Sequence, residues 1–524
     1  MNPKNPKTTE HDIIKTNLVP LELNKKNDYD QLIDSIGEAK IVLIGEASHG
    51  TEEFYRERCL ITKRLIEEKD FTVVACEADW PDSYNVNRYV QNFKTNTFKS
   101  ARNSLRGFTR FPTWMWRNEQ VEKFIEWLKF HNAQLEKSQK SQKTYNRYNK
   151  TGLYGLDLYS LFTSIDEVIK YLEKFDKKAA EKAKRHFSNY YQLCSSCEQD
   201  VVQVLVDLVK KRSSSFLKEK LEDDNDEPDI SKPNNHDEWF STEINALVVK
   251  DAEEYYRKMI APEASSWNIR ESHMIKILKV LIKYLETQRG KDVKAVIWAH
   301  NSHIGDAKYT DQGQVRRELT IGQLVRDNFG PDRTFSIGFT THTGTVTAAS
   351  DWNSIRELKK VNPSRPNSYE NLFHKIATET NHPNFLLLFK KIKNSSKLST
   401  SPELINALSK PNLMERAIGV IYRPNTELQS HYFYAQISSQ FDSVIHIDTT
   451  SALKALDVSD LMVRDFEKEA EEPPETYPTV VAALGALDSL DAHNVLVDYV
   501  DCVVADDDAD ADDVQQKALD QYII

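Results

Sequence analysis

The chain has 524 residues, 40% hydrophobic and 28% charged, the balance of a globular protein rather than a disordered or fibrous one. No apolar run approaches the roughly 20 residues of a membrane-spanning helix, and the opening MNPKNPKTTEHDIIK lacks the apolar centre of a secretory signal, so a cytoplasmic location is expected. The net charge of −11 is uneven: residues 465–524 hold 17 acids against 2 lysines, which leaves the remainder near +4, without the basic excess that nucleic acid or a membrane surface requires.

In chain order, residues 40–45 (KIVLIG) read as a buried strand that runs into Glu46 and His49. A strand-to-helix turn follows, with Thr51 as the expected N-cap and Glu52 and Glu53 in the first turn, where acids complement the helix dipole. Phe54, Arg58, Ile61 and Leu65 then recur at helical spacing, which puts Arg58 on the inward stripe. Residues 71–76 (FTVVAC) form a second strand ending on Glu77. Residues 134–150 are polar and basic and read as a solvated excursion, and 152–156 (GLYGL) form a strand ending on Asp157.

A mostly helical stretch covers about 160–288, interrupted by an acidic loop at 213–237, and its Cys194-Ser-Ser-Cys197 reads as ordinary thiols rather than a metal or redox pair. Strands return at 295–299 (AVIWA), ending on His300 and His303, and at 334–339 (TFSIGF), ending near His342. Further strands are expected from Phe385 (FLLLF), Ala417 (AIGVIY) and Ser443 (SVIHID). The expected fold is α/β: a mostly parallel central sheet flanked by helices, with an inserted helical subdomain over the cleft. Residues 1–478 form that domain, and 479–524 are an acidic extension, disordered or peripheral.

In open α/β sheets ligands bind outside the carboxyl ends of the strands. Five strand ends carrying acids or histidines are therefore expected around one cleft, which points to an enzyme. A carboxylate beside an imidazole fixes its tautomer and raises its basicity, so Glu46 with His49 suits a general base near neutral pH. Buried Arg58 needs an anion, expected from Glu46 and Glu77. His300-Asn301-Ser302-His303 supplies a second histidine pair. Glu46, His49, Glu77 and these histidines also match the inventory of a divalent metal site, although not at the spacing of a zinc protease helix. Gly45-Glu-Ala-Ser48-His-Gly50 has two residues between the first glycine and the serine and so fails the nucleophile-elbow pattern. No phosphate-binding or dinucleotide glycine motif occurs.

Several segments together resemble the erythromycin esterase family: IGEASHGTEEFYRER, CEADWPDSYNVNRYV, FTRFPTWMWRN, YGLDLYSL, AEEYYRKM, SWNIRESHM, WAHNSHIGDA, IGFTTHTGTVTAASDW, AIGVIYRP and PETYP, in order over about residues 20–478. The resemblance implies a helical subdomain roofing a deep cleft, and hydrolysis of a macrolactone-type ester by activated water without a covalent intermediate. It implies His49 as base, Glu46 and Glu77 as paired acids, Arg58 as the cleft arginine, and His300 and His303 as the later histidines. The catalytic set expected is His49, Glu46, Glu77 and His300. Arg58, His303, Asp157, Arg270 and Asn301 are expected to bind or position substrate, with no metal or other cofactor. The partner is a small-molecule ester, and no protein partner is inferred. Two other readings stay open: a metal-dependent hydrolase using the same residues, and a non-catalytic binder of a macrocycle or tetrapyrrole.

Overall fold

In a computed structural model of the chain, the described residues are 9–93, 96–188, 235–260, 266–390 and 401–457. Eight strands form the central sheet: β1 (Val19–Pro20), β2 (Ile41–Ile44), β3 (Phe71–Asp79), β4 (Gly152–Asp157), β5 (Lys294–Trp298), β6 (Thr334–Thr340), β9 (Asn384–Leu388) and β12 (Ser443–Ile447). Their spatial order is β1-β9-β12-β6-β2-β5-β3-β4, parallel from β12 to β4, with β9 running against both of its neighbours. Successive strand residues face opposite sides of a sheet. Val42 and Ile44 of β2 accordingly join Phe54, Leu65 and Trp298 in one core, while Ile41 and Leu43 join Met274, Leu278 and Ile297 in the other. This double burial is why the central strands read as unbroken apolar runs.

Helix Glu52–Lys69 covers the first face and helix Ser266–Arg289 the second. Within the expected helical region lie Leu161–Phe175, Lys177–Ser188, Asn235–Ile260 and Ser266–Arg289, and the first three share a separate core of Ile165, Val168, Ala180, Val249 and Tyr255. Cys194 and Cys197, most of the acidic loop and everything beyond Asp457 lie outside the described residues, whereas Cys59 and Cys76 are buried core thiols. No helix among the described residues is long and apolar enough to cross a membrane.

Three expectations of local structure need correction. Helix Glu119–Ser141 runs well into the stretch read as a polar excursion, because its inward positions Val121, Phe124, Ile125 and Leu128 are buried and carry the polar end with them. Residues 417–422 are not a sheet strand: they make isolated bridges, Ile418 to Ser48 and Ile421 to Ala349, and the ladder strand precedes them as β10 (Leu413–Arg416), paired with β11 (Tyr432–Ala435). Thr51 stands at the N-cap position, but its hydroxyl bonds Ser48 Oγ and not the helix amides. A small sheet of β7 (Thr343–Ala348), β8 (Glu357–Val361) and β13 (Thr449–Thr450), absent from the sequence reading, packs beside the turn after β2, where the Gly50 carbonyl accepts from the Thr347 amide.

Candidate active site

Neighbouring parallel strands must end side by side, so the order β2-β5-β3-β4 sets Glu46, His300, Glu77 and Asp157 in a row along one edge of the sheet. Four of the five titratable strand ends meet there. The fifth does not. His342 lies beyond the end of β6, where its amide bonds the Asp448 carbonyl, and its ring bonds Ser364 and stacks on His374 with centroids 3.6 Å apart.

At the end of β2, His49 Nδ1 is 2.9 Å from Glu46 Oε1, and both residues are buried. The turn is held by bonds from its backbone: the His49 amide donates to the Ile418 carbonyl, and the His49 carbonyl accepts from Tyr55 Oη at 3.1 Å. Arg58 points inward as its helical phase requires and is fully buried. Its guanidinium lies 3.4 Å from Glu46 Oε2 and over the rings of Tyr55 (4.4 Å) and Trp298 (4.9 Å), and none of its nitrogens makes a hydrogen bond among the described residues. Glu46 is therefore the anion that meets Arg58. Glu77, expected to share that role, turns instead to Arg270.

Arg270 comes from the start of helix Ser266–Arg289 and is clamped by two carboxylates. Its Nε and Nη2 donate to Asp157 at 3.0 and 2.7 Å, and Nη2 also reaches Glu77 Oε1 at 2.7 Å. His303 lies between Glu271 Oε1, 2.5 Å from Nδ1, and Glu77 Oε1, 3.1 Å from Nε2, with Trp267 stacked on its ring. Burial works against charge on this imidazole, but Glu271 and then Glu77 outweigh it and raise its pKa to about 9. Arg270 Nη1, 3.0 Å from His303 Nε2, is then a neighbouring cation, tolerated because Glu77, Asp157 and Glu271 surround the pair. Burial would raise the Glu77 carboxyl, yet His303 and Arg270 hold it well below the usual carboxylate range.

His300 shares the loop, the burial and a contact with Glu77, but not the ring partners or the charge, of His303. Its Nδ1 accepts from the Ser302 amide at 3.3 Å and faces Ser302 Oγ at 2.8 Å, and its own amide donates to Glu77 Oε2 at 2.9 Å. Burial and the adjacent His49 push its pKa well below the ordinary histidine value, so the ring is neutral. The rings of His49 and His300 are 4.7 Å apart, tilted by 43°. With Nδ1 accepting, the proton of neutral His300 sits on Nε2.

Asn301 is also at the centre but is fully buried and already occupied. Its Nδ2 donates to the Phe339 carbonyl (2.7 Å) and Glu415 Oε1 (3.2 Å), and its Oδ1 accepts from the Phe339 amide (3.2 Å). That amide braces the strand ends and has no free group to offer a ligand. Sequence reasoning missed Glu271, Trp267, Ser302 and Glu415. The first two had a signal, since Trp267, Arg270 and Glu271 fall on one helical face within SWNIRESHM. Among the described residues, no group of three or more His, Cys, Asp and Glu side chains is placed to hold a metal ion, and Glu77 spends both oxygens on Arg270, His303 and the His300 amide.

A family model described as erythromycin esterase matches residues 66–450, well over half of the chain. Glu46, His49 and Arg58 precede that span. Solved structures with the same fold include a succinoglycan biosynthesis protein (20% identity, 85% of this chain and 98% of that one, TM-score 0.59). A Bacillus cereus protein aligns with 17% identity over 86% of this chain and 98% of its own, TM-score 0.61. A mutant of the erythromycin esterase EreC in its open conformation aligns with 14% identity over 83% and 96%, TM-score 0.54. At these identities the structural likeness speaks for the fold.

Proposed function

Because the chain belongs to the erythromycin esterase family, we propose that it hydrolyses a cyclic ester of the macrolactone type, using water activated by His49. The single observation that carries this reading is the Glu46–His49–His300 arrangement at adjacent strand ends. Glu46 accepts a hydrogen bond from His49 Nδ1–H, which fixes the tautomer and leaves Nε2 as the acceptor for a proton from water. Water oxygen attacks the ester carbonyl carbon as its proton passes to His49. When the tetrahedral intermediate collapses, the carbon–oxygen bond to the ring breaks and the leaving alkoxide recovers that proton, giving an acid and an alcohol.

His300, neutral and carrying its proton on Nε2, is the donor suited to the carbonyl oxygen as negative charge develops. Arg270 and protonated His303 supply fixed positive charge behind it, balanced by Asp157, Glu77 and Glu271 so that the cations hold one position. Arg58 is too deeply buried to reach a ligand, and its role in this reading is to hold Glu46, and through it His49. Asn301 likewise positions the loop rather than the substrate.

The test is incubation of purified protein with a macrolide panel and mass spectrometry for products heavier by one water. No gain on any macrolide or simpler macrolactone would sink the reading. The imidazole and the fixed cations supply the proton acceptor and the electrostatics, so hydrolysis is expected to survive exhaustive chelation. Activity lost to a chelator and restored by zinc or manganese would favour the metal-dependent alternative.

A further inference from the structure

Behind the two histidine loops lies a buried polar cluster that the proposed chemistry does not use. Glu415 of β10, Glu370 of helix Tyr369–Thr380 and Gln440 are each at most 1% exposed. Glu370 Oε1 accepts from the Arg416 amide at 2.8 Å, and Glu415 Oε1 accepts from Asn301 Nδ2 at 3.2 Å. The other oxygens of the cluster, Glu370 Oε2, Glu415 Oε2 and Gln440 Oε1, have no hydrogen-bond donor among the described residues. Three buried acceptors without a donor are an expensive arrangement, and one added proton relieves it by turning an acceptor into a donor.

Asn301, which this cluster holds, is the joint between three strand ends. Its amide donates to the Glu46 carbonyl after β2, its side chain clasps both backbone groups of Phe339 in β6, and it follows His300 directly after β5. The contact is close enough that a Cβ on Gly45 would collide with Asn301 Oδ1. We propose that Glu415 is a positioning residue of the active site, fixing Asn301 as the latch that sets His300 against His49. The inference rests on the hydrolytic reading of that site, although the latch can be tested without turnover.

The groups facing Glu415 decide its protonation. They are Glu370, Gln440, Asn301 and Tyr369, whose hydroxyl is spent on the Ala435 carbonyl at 2.8 Å. The nearby guanidinium of Arg416 points elsewhere, to the carbonyls of Thr341, His342 and Asn362 and to Glu427. Burial first, and then the neighbouring Glu370, raise the Glu415 carboxyl to about 8. At neutral pH it is a neutral acid able to accept from Asn301 and donate to an orphaned oxygen. A glutamine reproduces both capacities, and an alanine reproduces neither.

The experiment compares wild-type protein with Glu415→Gln and Glu415→Ala. Without substrate, histidine-selective NMR at pH 7 should show the His49 and His300 ring signals unchanged in Glu415→Gln and shifted in Glu415→Ala. Wild-type melting temperature should fall relative to Glu415→Gln as pH rises from 4.5 to about 8 and level off above that, because over this window the unfolded chain releases a proton that the folded acid retains. On a substrate that wild type hydrolyses, Glu415→Ala should lose roughly 10- to 100-fold in kcat with little change in KM, as expected for a displacement below about 1 Å. Glu415→Gln should stay near the wild-type rate and keep it at pH 9, where wild type declines. Equal loss in both variants, or His300 signals unmoved by alanine, would overturn the proposal. If Glu415→Ala does not fold, the glutamine variant's ring signals, pH–melting curve and pH–rate profile decide alone. If wild type hydrolyses no macrolide, the functional reading fails while the NMR and melting arms still judge the latch.

Discussion

A histidine base is only as good as what holds it, and the ring of His49 is held through one carboxylate, Glu46, which is itself met by the Arg58 guanidinium at 3.4 Å. His49→Asn keeps the size and polarity of the side chain and removes the proton acceptor. It should melt within a few degrees of wild type, bind ligand comparably and lose about 10²–10⁴-fold in hydrolysis. A rate within a few-fold of wild type would reject the role. Arg58→Ala makes a different prediction. Removing the guanidinium that faces Glu46 leaves a buried charge uncompensated, at a cost of about 3–5 kcal/mol, so stability and activity should fall together. A denaturant titration measures this directly, and an unchanged midpoint would show that Glu46 is stabilised by something other than Arg58.

At the scale of elements, the start of helix Ser266–Arg289 carries Trp267, Arg270 and Glu271 onto the ends of β3, β4 and β5 and encloses His303. The pKa of His303, about 9, lies above the ordinary histidine value near 6.5, so the folded state holds its proton more tightly than the unfolded chain. The resulting stabilisation is complete below about pH 6.5 and is lost as pH rises towards 9. Melting curves of wild type and His303→Gln across that window should converge with rising pH, and parallel curves would show that His303 is neutral in the folded protein. This element also marks where sequence reading stopped. The strands were legible because both sheet faces are apolar, and Glu46, His49, Glu77, Asp157 and His300 were legible because each closes such a run. Arg58 was legible from helical phase. Which acid meets which cation was not, because Arg270 lies 193 positions from Glu77 in sequence and the choice depends on how the helix crosses the sheet. His342 failed for a related reason: a strand end fixes position along the sheet edge, but the next turn decides which way a side chain two residues later points.

At the scale of the molecule, all eight strands of the central sheet, both of its cores and every group of the candidate site lie between Ile13 and Asp457. The family match ends at residue 450, and the described chain closes by pinning Asp457 to Arg117 at 2.6 Å, beside the bridge from Asn118 to Ala455. Residues 481–524 carry 11 acids and one lysine, so they contribute most of the net negative charge. A stretch with that charge balance gains little by burial, because each buried acid would need its own cation and one lysine cannot serve 11 acids. Deleting residues 481–524 is therefore expected to leave melting temperature and hydrolysis close to those of the full chain, while raising the isoelectric point. The measurement is a melting curve and a rate for the truncated protein beside the intact one. Insoluble or inactive truncated protein would mean that the extension completes the fold, and would move the domain boundary beyond residue 478.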